Sequence, residues 1–366
     1  MKRYNEKRPV WLLPTPKRTD EIADRGLRGL LLNLMQGKNL NRQEAAYLLN
    51  QLLTGEATDA QISAALVALA VKGETTEELA GMAEAMREHS IKITSKHTDF
   101  IDTAGTGSSR VKTFNVSTAA AFVIAGAGLP VAKHGSRAAT SQSGSADVLS
   151  ALGVNVNASS EVSENCLNEI GICFMFAPLY HASTARVAAI RRELGVHTTF
   201  NLLGPMTNPA NAPFQIMGVW HRALVEPIAK TLAALHVKRA WVVHGLDGLD
   251  EITISDKTAV AEVLGGKVKL FEITPEQLGF ERIQTNELEN LRGGNPEQNA
   301  EIIRQILEGK RKDAARSLVL LNAAAALFVG GKAENLEKAV KLADESLESG
   351  KALEKLKSLI EKTKQI

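Results

Sequence analysis

At Lys92 the hydrophobic period of this chain changes, and that change limits the folds open to it more than any other feature. From Thr19 to about Ser90 apolar residues recur three and four apart, as at Leu27, Leu30, Leu31 and Leu34, which predicts helices throughout. Asn41 to Glu44, Thr58 or Asp59, and Thr75 to Glu78 read as helix starts, and Gly55 and Gly73 as stops. Short helices joined by tight loops make a small bundle. Beyond Lys92, short apolar runs alternate with helical patterns. The runs are Phe100-Ile101, Val131-Ala132, Val154 to Val156, Ile172 to Phe176, Ile216 to Trp220, Ala240 to Val243 and Val268 to Phe271. The helical patterns include Ser145 to Leu152, Val162 to Ile170 and Ala223 to Leu235. Such alternation predicts a largely parallel sheet covered on both faces. The fold class is therefore α/β, a small mostly helical domain plus a larger α/β domain with a mainly parallel central sheet.

One segment interrupts the alternation. Thr184 to Leu194 is helical with a polar face, and the Pro/Gly/Asn-rich FNLLGPMTNPANAP that follows reads as irregular. This helix is expected to leave the sheet and join the bundle. The expected division is an N-terminal arm at 1–22, a small helical domain at 23–95 with about 182–205, and an α/β domain at 96–181 with about 206–366. The arm carries Trp11 among prolines and charges, and Pro296 to Ile366 reads as three amphipathic helices. A chain of 366 residues exceeds the size at which one core usually keeps growing, which also favours two domains.

The stretch from Asp102 to Asp147 carries the chemistry. A short strand ending at Asp102 enters the turn Gly105-Thr106-Gly107-Ser108-Ser109, and Asn115, Ser117 and Thr118 stand where an Ala-rich helix begins. Short polar residues there are expected to cap the helix, whose free N–H groups and dipole favour an anion. A second turn, Lys133-His134-Gly135-Ser136-Arg137, brings cations to the same edge. Two phosphate-friendly turns on one α/β unit suggest a ligand with phosphate at both ends. The first turn fits neither a P-loop nor the full GxGxxG spacing of a dinucleotide fold.

Adjacent carboxylates at Asp250-Glu251, after a strand and a turn, suit Mg²⁺ facing a polyphosphate. Of Arg191-Arg192, one arginine turned into a cleft could grip a carboxylate in a two-bond fork. His134 and His181 read equally as structural or as lining the site. The formal charge of +2 gives no support for nucleic-acid or membrane affinity. Cys166 and Cys173 lack metal-ligand spacing and read as small core residues in a reducing compartment. No secretory leader is visible, and the apolar run Ala119 to Ala132 is too short to span a bilayer, so a cytoplasmic location is expected.

In order, DTAGTG, FNVSTA, VAKHGSR, SQSGSADVLSALG, FMFAPLYH, RRELGVHTTFNLLGPMTNPA and HGLDGLDEIT closely resemble the anthranilate phosphoribosyltransferases. KGETTEELAGMAEAMREH upstream and LLNAAAAL downstream extend the resemblance to roughly Ile22 to Leu347. It implies transfer of the 5-phosphoribosyl group from 5-phosphoribosyl 1-diphosphate to the amine of anthranilate, in tryptophan biosynthesis. It further implies two Mg²⁺ ions per subunit, a hinge between the domains and a homodimer through the helical domain. Carried over by residue, it assigns Gly105, Thr106, Gly107, Ser108, Ser109, Thr113, Asn115, Ser117, Thr118, Lys133, Gly135, Ser136 and Ser145 to phosphoribosyl diphosphate. Gly105, His134, Ser136, Pro178 and Arg191 fall to anthranilate, with Arg191 on its carboxylate. Ser117, Asp250 and Glu251 fall to the metal, and no single acid or base is implied.

The chain departs from the family where GTGSSR replaces GTGGD and KHGSR replaces KHGNR. Arg110, with Lys112, is expected to bring positive charge to the diphosphate and alter the dependence on Mg²⁺. On sequence alone three other readings stay open: a paralogue acting on another aromatic amine, a pyrimidine nucleoside phosphorylase-like enzyme, and a non-catalytic relative that binds nucleic acid.

Overall fold

The computed structural model describes residues 26–107, 109, 111–138 and 142–364. The expected arm, together with Ser108 and Arg110, lies outside the described residues. The helical stretch folds as α1 (Leu27–Met35), α2 (Arg42–Leu53), α3 (Asp59–Lys72) and α4 (Thr76–Glu88). Each start signal forms a reciprocal cap. Asn41 Oδ1 accepts the Glu44 N–H at 2.9 Å while Glu44 accepts the Asn41 N–H at 2.8 Å. Thr58 with Gln61 and Thr75 with Glu78 do the same. Glu78 is fully buried and also accepts the Leu40 N–H at 2.8 Å and Lys72 Nζ at 2.7 Å. One buried carboxylate thus ties the loop before α2 and the end of α3 to α4. Breaking such a pair by removing one partner leaves a charge stranded in the core.

The remainder runs β1 (Ile101–Asp102), α5 (Val116–Gly126), β2 (Val131–Gly135), α6 (Ser145–Leu152), α7 (Ser160–Ile170), β3 (Ile172–Phe176) and the short α8 (Ala177–Tyr180). Then come α9 (Ala185–Leu194), α10 (Thr199–Met206), β4 (Phe214–Gly218), α11 (Val225–Ala234), β5 (Arg239–Gly245), β6 (Thr258–Leu264) and β7 (Lys267–Ile273). The sheet order is β3-β2-β1-β4-β5-β6-β7. Pairing is parallel from β3 to β5 and antiparallel for β6 and β7, so the sheet is mainly parallel as expected.

Several local expectations fail. Val154 to Val156 is no strand: after Gly153 closes α6, Asn155 gives its main-chain N–H to Thr363 Oγ1 and its side-chain N–H to Thr363 O, not to a sheet neighbour. β6 was not foreseen, and β4 begins at Phe214 rather than Ile216. FNLLGPM is helical as α10, with Pro205 inside its last turn; the proline removes one ladder donor there, and Gln215 Nε2 donates to the Pro205 carbonyl at 2.6 Å. The far end holds four helices rather than three: α12 (Pro296–Leu307), α13 (Ala314–Val329), α14 (Leu336–Glu348) and α15 (Lys351–Lys364).

Strand alternation divides two cores. Trp241 and Val243 of β5 face a core shared with α5 and α13, while Ala240 and Val242 face a second core. The second core runs through Ile228, Ala229 and Leu232 of α11 to Leu48, Leu49, Met82 and Ala83 of the bundle. Val187 and Ile190 of α9 and Phe200 and Leu203 of α10 are buried in it as well. The apolar sides of the interrupting helices therefore pack with the bundle, while their polar sides are free to face a cleft. No helix among the described residues is long and apolar enough to cross a membrane.

Candidate active site

In parallel sheets, ligands sit beyond the carboxyl ends of the strands. Here the segments following β1, β2, β4 and β5 converge with α9 and α10 on one cleft of about 520 Å³. Gly105, Thr106, Gly107, Ser109 and Thr113 line it from the first turn, and Asn115, Ser117 and Thr118 from the start of α5. Lys133, His134, Gly135, Ser136 and Ser145 line it from the second turn, and Pro178, Arg191, Asp250 and Glu251 from the facing walls. Of the expected site residues only Ser108 goes unplaced, being outside the described residues.

The first turn is fastened to β4. Thr106 donates its main-chain N–H to Gly218 O at 2.8 Å, and its hydroxyl accepts the Trp220 N–H at 3.1 Å. Gly218 must lack a side chain, because a Cβ there would lie 1.7 Å from the Asp250 carbonyl oxygen. The turn and the acidic loop are thereby stacked main chain on main chain. The second turn is closed by Asp147, which accepts the N–H groups of Ala138 at 2.9 Å and Gly144 at 3.0 Å and pairs with Arg137 at 2.8 Å. Asn115 does not cap α5 as expected: its side chain gives no cap bond and instead meets Ser143 and Asn299. The turn at α5 is thus braced sideways. The Thr118 hydroxyl, buried beside it, has no hydrogen-bond partner among the described residues.

Lys133 is 4% exposed, and its Nζ donates to Thr103 O at 3.2 Å, Thr103 Oγ1 at 3.1 Å and Ser117 Oγ at 3.3 Å. Burial pushes its pKa down, while Asp102 and Glu251 pull it back up. Asp102, fully buried beneath the site, accepts the His134 N–H at 3.2 Å and Asn208 Nδ2 at 2.7 Å. Burial raises its carboxyl to about 6 against the pull of Lys133. Glu251 is pushed to about 8 by burial and by Asp250, with Lys133 and the Ser117 N–H opposing. That crowding of negative charge is what a bound cation relieves. An all-oxygen set of two carboxylates and a hydroxyl suits Mg²⁺, which keeps several waters and binds through one or two carboxylates and substrate phosphates.

Across the cleft, Arg191 Nε donates to Thr198 Oγ1 at 3.0 Å and Nη2 to Asn201 Oδ1 at 3.1 Å, with its guanidinium over the Phe200 ring. Part of the fork is thus held in place and the rest faces the cleft. Side chains alternate along β2, so Lys133 turns towards α5 while His134 turns the other way, its ring 5.1 Å from that of His181. One half of the cleft offers donors for anions; the other is lined by Pro178, Phe200, His134 and His181 and closed by one arginine.

The family described as Glycosyl transferase family, a/b domain, matches residues 97–353, and its helical bundle domain matches residues 28–90. The anthranilate phosphoribosyltransferase of Desulfosudis oleivorans is 49% identical over 334 residues, covering 91% of this chain and 98% of its own. Among solved structures, anthranilate phosphoribosyltransferase from Thermus thermophilus superposes with a TM-score of 0.86 at 39% identity, covering 91% of this chain and 98% of its own. The Saccharomyces cerevisiae enzyme in complex with PRPP and Mg gives 0.83 at 29% identity, covering 92% and 98%. The chain belongs to the anthranilate phosphoribosyltransferase family.

For this family member, sequence reasoning missed the residues that brace the site from below. Asn208 bonds Asp102 and the Ala132 carbonyl at once, joining the chain that returns from α10 to β1 and β2. Asn322 of α13 accepts the Ile252 N–H at 3.0 Å and donates to the Ile252 carbonyl at 3.0 Å, clamping the residue after Glu251. A polar Asn inside the buried LLNAAAAL run was the one available signal, since a buried amide needs partners.

Proposed function

We propose that this chain transfers the 5-phosphoribosyl group of 5-phosphoribosyl 1-diphosphate to the amine of anthranilate, releasing diphosphate, as a step of tryptophan biosynthesis. One observation carries the reading: both glycine turns, Lys133, the Asp250-Glu251 pair and Arg191 line a single cleft. Main-chain donors of the two turns and the buried ammonium of Lys133 hold the phosphates. Ser117, Asp250 and Glu251 would hold Mg²⁺, two ions per subunit, which when bound neutralises charge growing on the departing diphosphate. Fixed donors aimed at developing charge stabilise the transition state without having to reorganise. Arg191 grips the anthranilate carboxylate, and the walls at Pro178 and Phe200 orient the ring so that its amine meets the ribose C1.

The helical domain, 23–95 with about 182–205, supplies Arg191 and Phe200 to the amine-side wall, and the α/β domain, 96–181 with about 206–366, supplies the phosphate side together with His134, Pro178 and His181. A homodimer through the helical domain is supported by exposed Met35, Tyr47, Val67 and Val71 on its outer helices. A reducing cytoplasm is in keeping with the free thiols of Cys166 and Cys173. The test is a mixture of protein, phosphoribosyl diphosphate, Mg²⁺ and anthranilate, followed by loss of anthranilate fluorescence. Substituted anthranilates in parallel address another amine; turnover of thymidine with phosphate instead would replace the reading with a phosphorylase.

A further inference from the structure

Most charged groups in the cleft have a task that rules out proton uptake. Lys112, Lys133, Arg137 and Arg191 are cations, and Asp250 and Glu251 face the metal position. Among the described residues of the cleft the neutral bases left are His134 and His181, which are 4% and 2% exposed. His134 Nε2 has no hydrogen-bond partner among the described residues. Both ring nitrogens of His181 are likewise unpartnered among those residues; His134 is set apart by its place on the second turn, between Lys133 and Gly135, where the phosphate and amine halves of the cleft meet. A buried acceptor left unmet is costly, so its persistence in a cleft wall calls for a ligand.

We propose that His134 Nε2 accepts the N–H of the incoming arylamine and takes its proton as the bond to the ribose forms. The proposal rests on the transfer reaction above and adds the group that completes its proton balance. The C1–O bond to diphosphate breaks and its electron pair leaves on diphosphate. The amine nitrogen's lone pair makes the C1–N bond, and the resulting arylammonium gives one proton to Nε2. The N–H electron pair stays on nitrogen, and the proton goes to solvent as the product leaves. An arylammonium is far more acidic than an alkylammonium, so a weak base is sufficient. The ring is such a weak base: burial, then neighbouring His181, pushes the His134 pKa down to about 3, which keeps its lone pair free while lowering its pull on a proton. Lys133, next along the strand, adds to that repulsion of a proton, and the arriving carboxylate of anthranilate counters it.

His134→Gln keeps an acceptor at this position but cannot take a proton. With enzyme in excess over anthranilate and the reaction stopped by rapid quench, its single-turnover rate is expected to fall about a hundredfold or more. Affinity for anthranilate and for phosphoribosyl diphosphate should stay within about twofold. His181→Gln should slow the step far less. A wild-type rate in His134→Gln, a loss matched by lost binding of either ligand, or the larger loss in His181→Gln would each overturn the assignment. If the unaltered protein consumed no anthranilate at all, the transfer reaction itself would be at fault.

Discussion

Gly218 and Asp250 touch main chain to main chain, which makes the end of β4 the seat of the acidic loop. With a Cβ at residue 218 only 1.7 Å from the Asp250 carbonyl oxygen, Gly218→Ala has to move that loop or the first turn. We expect a stability loss of about 1–3 kcal/mol, typical of overpacking. The Mg²⁺ concentration for half-maximal turnover should rise at least tenfold. A Mg²⁺ titration superimposable on that of the unaltered protein would show that the contact does not set the loop.

Asn322 holds the same loop from α13 and would be felt differently. Asn322→Ala leaves the Ile252 N–H and carbonyl buried without partners, a cost of about 1–3 kcal/mol. Thermal unfolding should report that loss in full. At saturating Mg²⁺ and phosphoribosyl diphosphate, turnover should return to within about threefold, because the ligands re-fix the loop.

Arg191 is oriented by Thr198 and Asn201 and stacked on Phe200. Arg191→Ala should raise the KM for anthranilate tenfold to a hundredfold, the worth of a hydrogen bond to a charged group, about 1.5–3 kcal/mol. The KM for phosphoribosyl diphosphate should barely move. Asn201→Ala, which frees the guanidinium and also the Thr198 N–H at the cap of α10, should give a smaller change of the same kind with a loss of stability beside it. Equal losses for both substrates would place Arg191 outside the amine half.

The two cleft histidines each contribute stability that falls as the solution is acidified. Burial holds His134 at about 3 and His181 at about 4, below the ordinary 6.5. Between those values the unfolded chain binds more protons than the folded one, so stability is present above about 6.5 and drains away as pH falls. Asp102, raised from 3.8 to about 6, and Glu251, raised from 4.5 to about 8, work in the opposite sense and offset both where the windows overlap. His181→Gln should therefore lower the slope of unfolding free energy against pH by up to one proton, about 1.4 kcal/mol per pH unit. An unchanged slope between pH 4 and pH 6 would remove His181 from the account.

What could be read in the sequence was local. The glycine turn, VAKHGSR and the acidic pair each sit within a few residues of the strand end that presents them, and so does each helix cap at Asn41, Thr58 and Thr75 with respect to its helix. What could not be read depends on partners far along the chain. Asp102 meets Asn208 across 106 positions, and Ile252 meets Asn322 across 70. Asn115 looked like a cap because its neighbours are those of a cap; the competing bonds from Ser143 and Asn299 decided otherwise. Val154 to Val156 has the composition of a strand, but Thr363, brought in by the last helix, takes the bonds a sheet would have used. Pro205 and Gly204 suggested an irregular passage, yet the helix runs through both to Met206, the proline costing it one ladder donor.

Because Lys133 and His134 are successive residues of one pleated strand, the division of labour in the cleft is written into the sheet's two-residue repeat. Inserting or deleting a single position in β2 would swap the ammonium and the imidazole between compartments and leave neither with its reactant. Altering which amine is accepted therefore falls to α8, α9 and α10, whose side chains can be exchanged while the strand keeps its register.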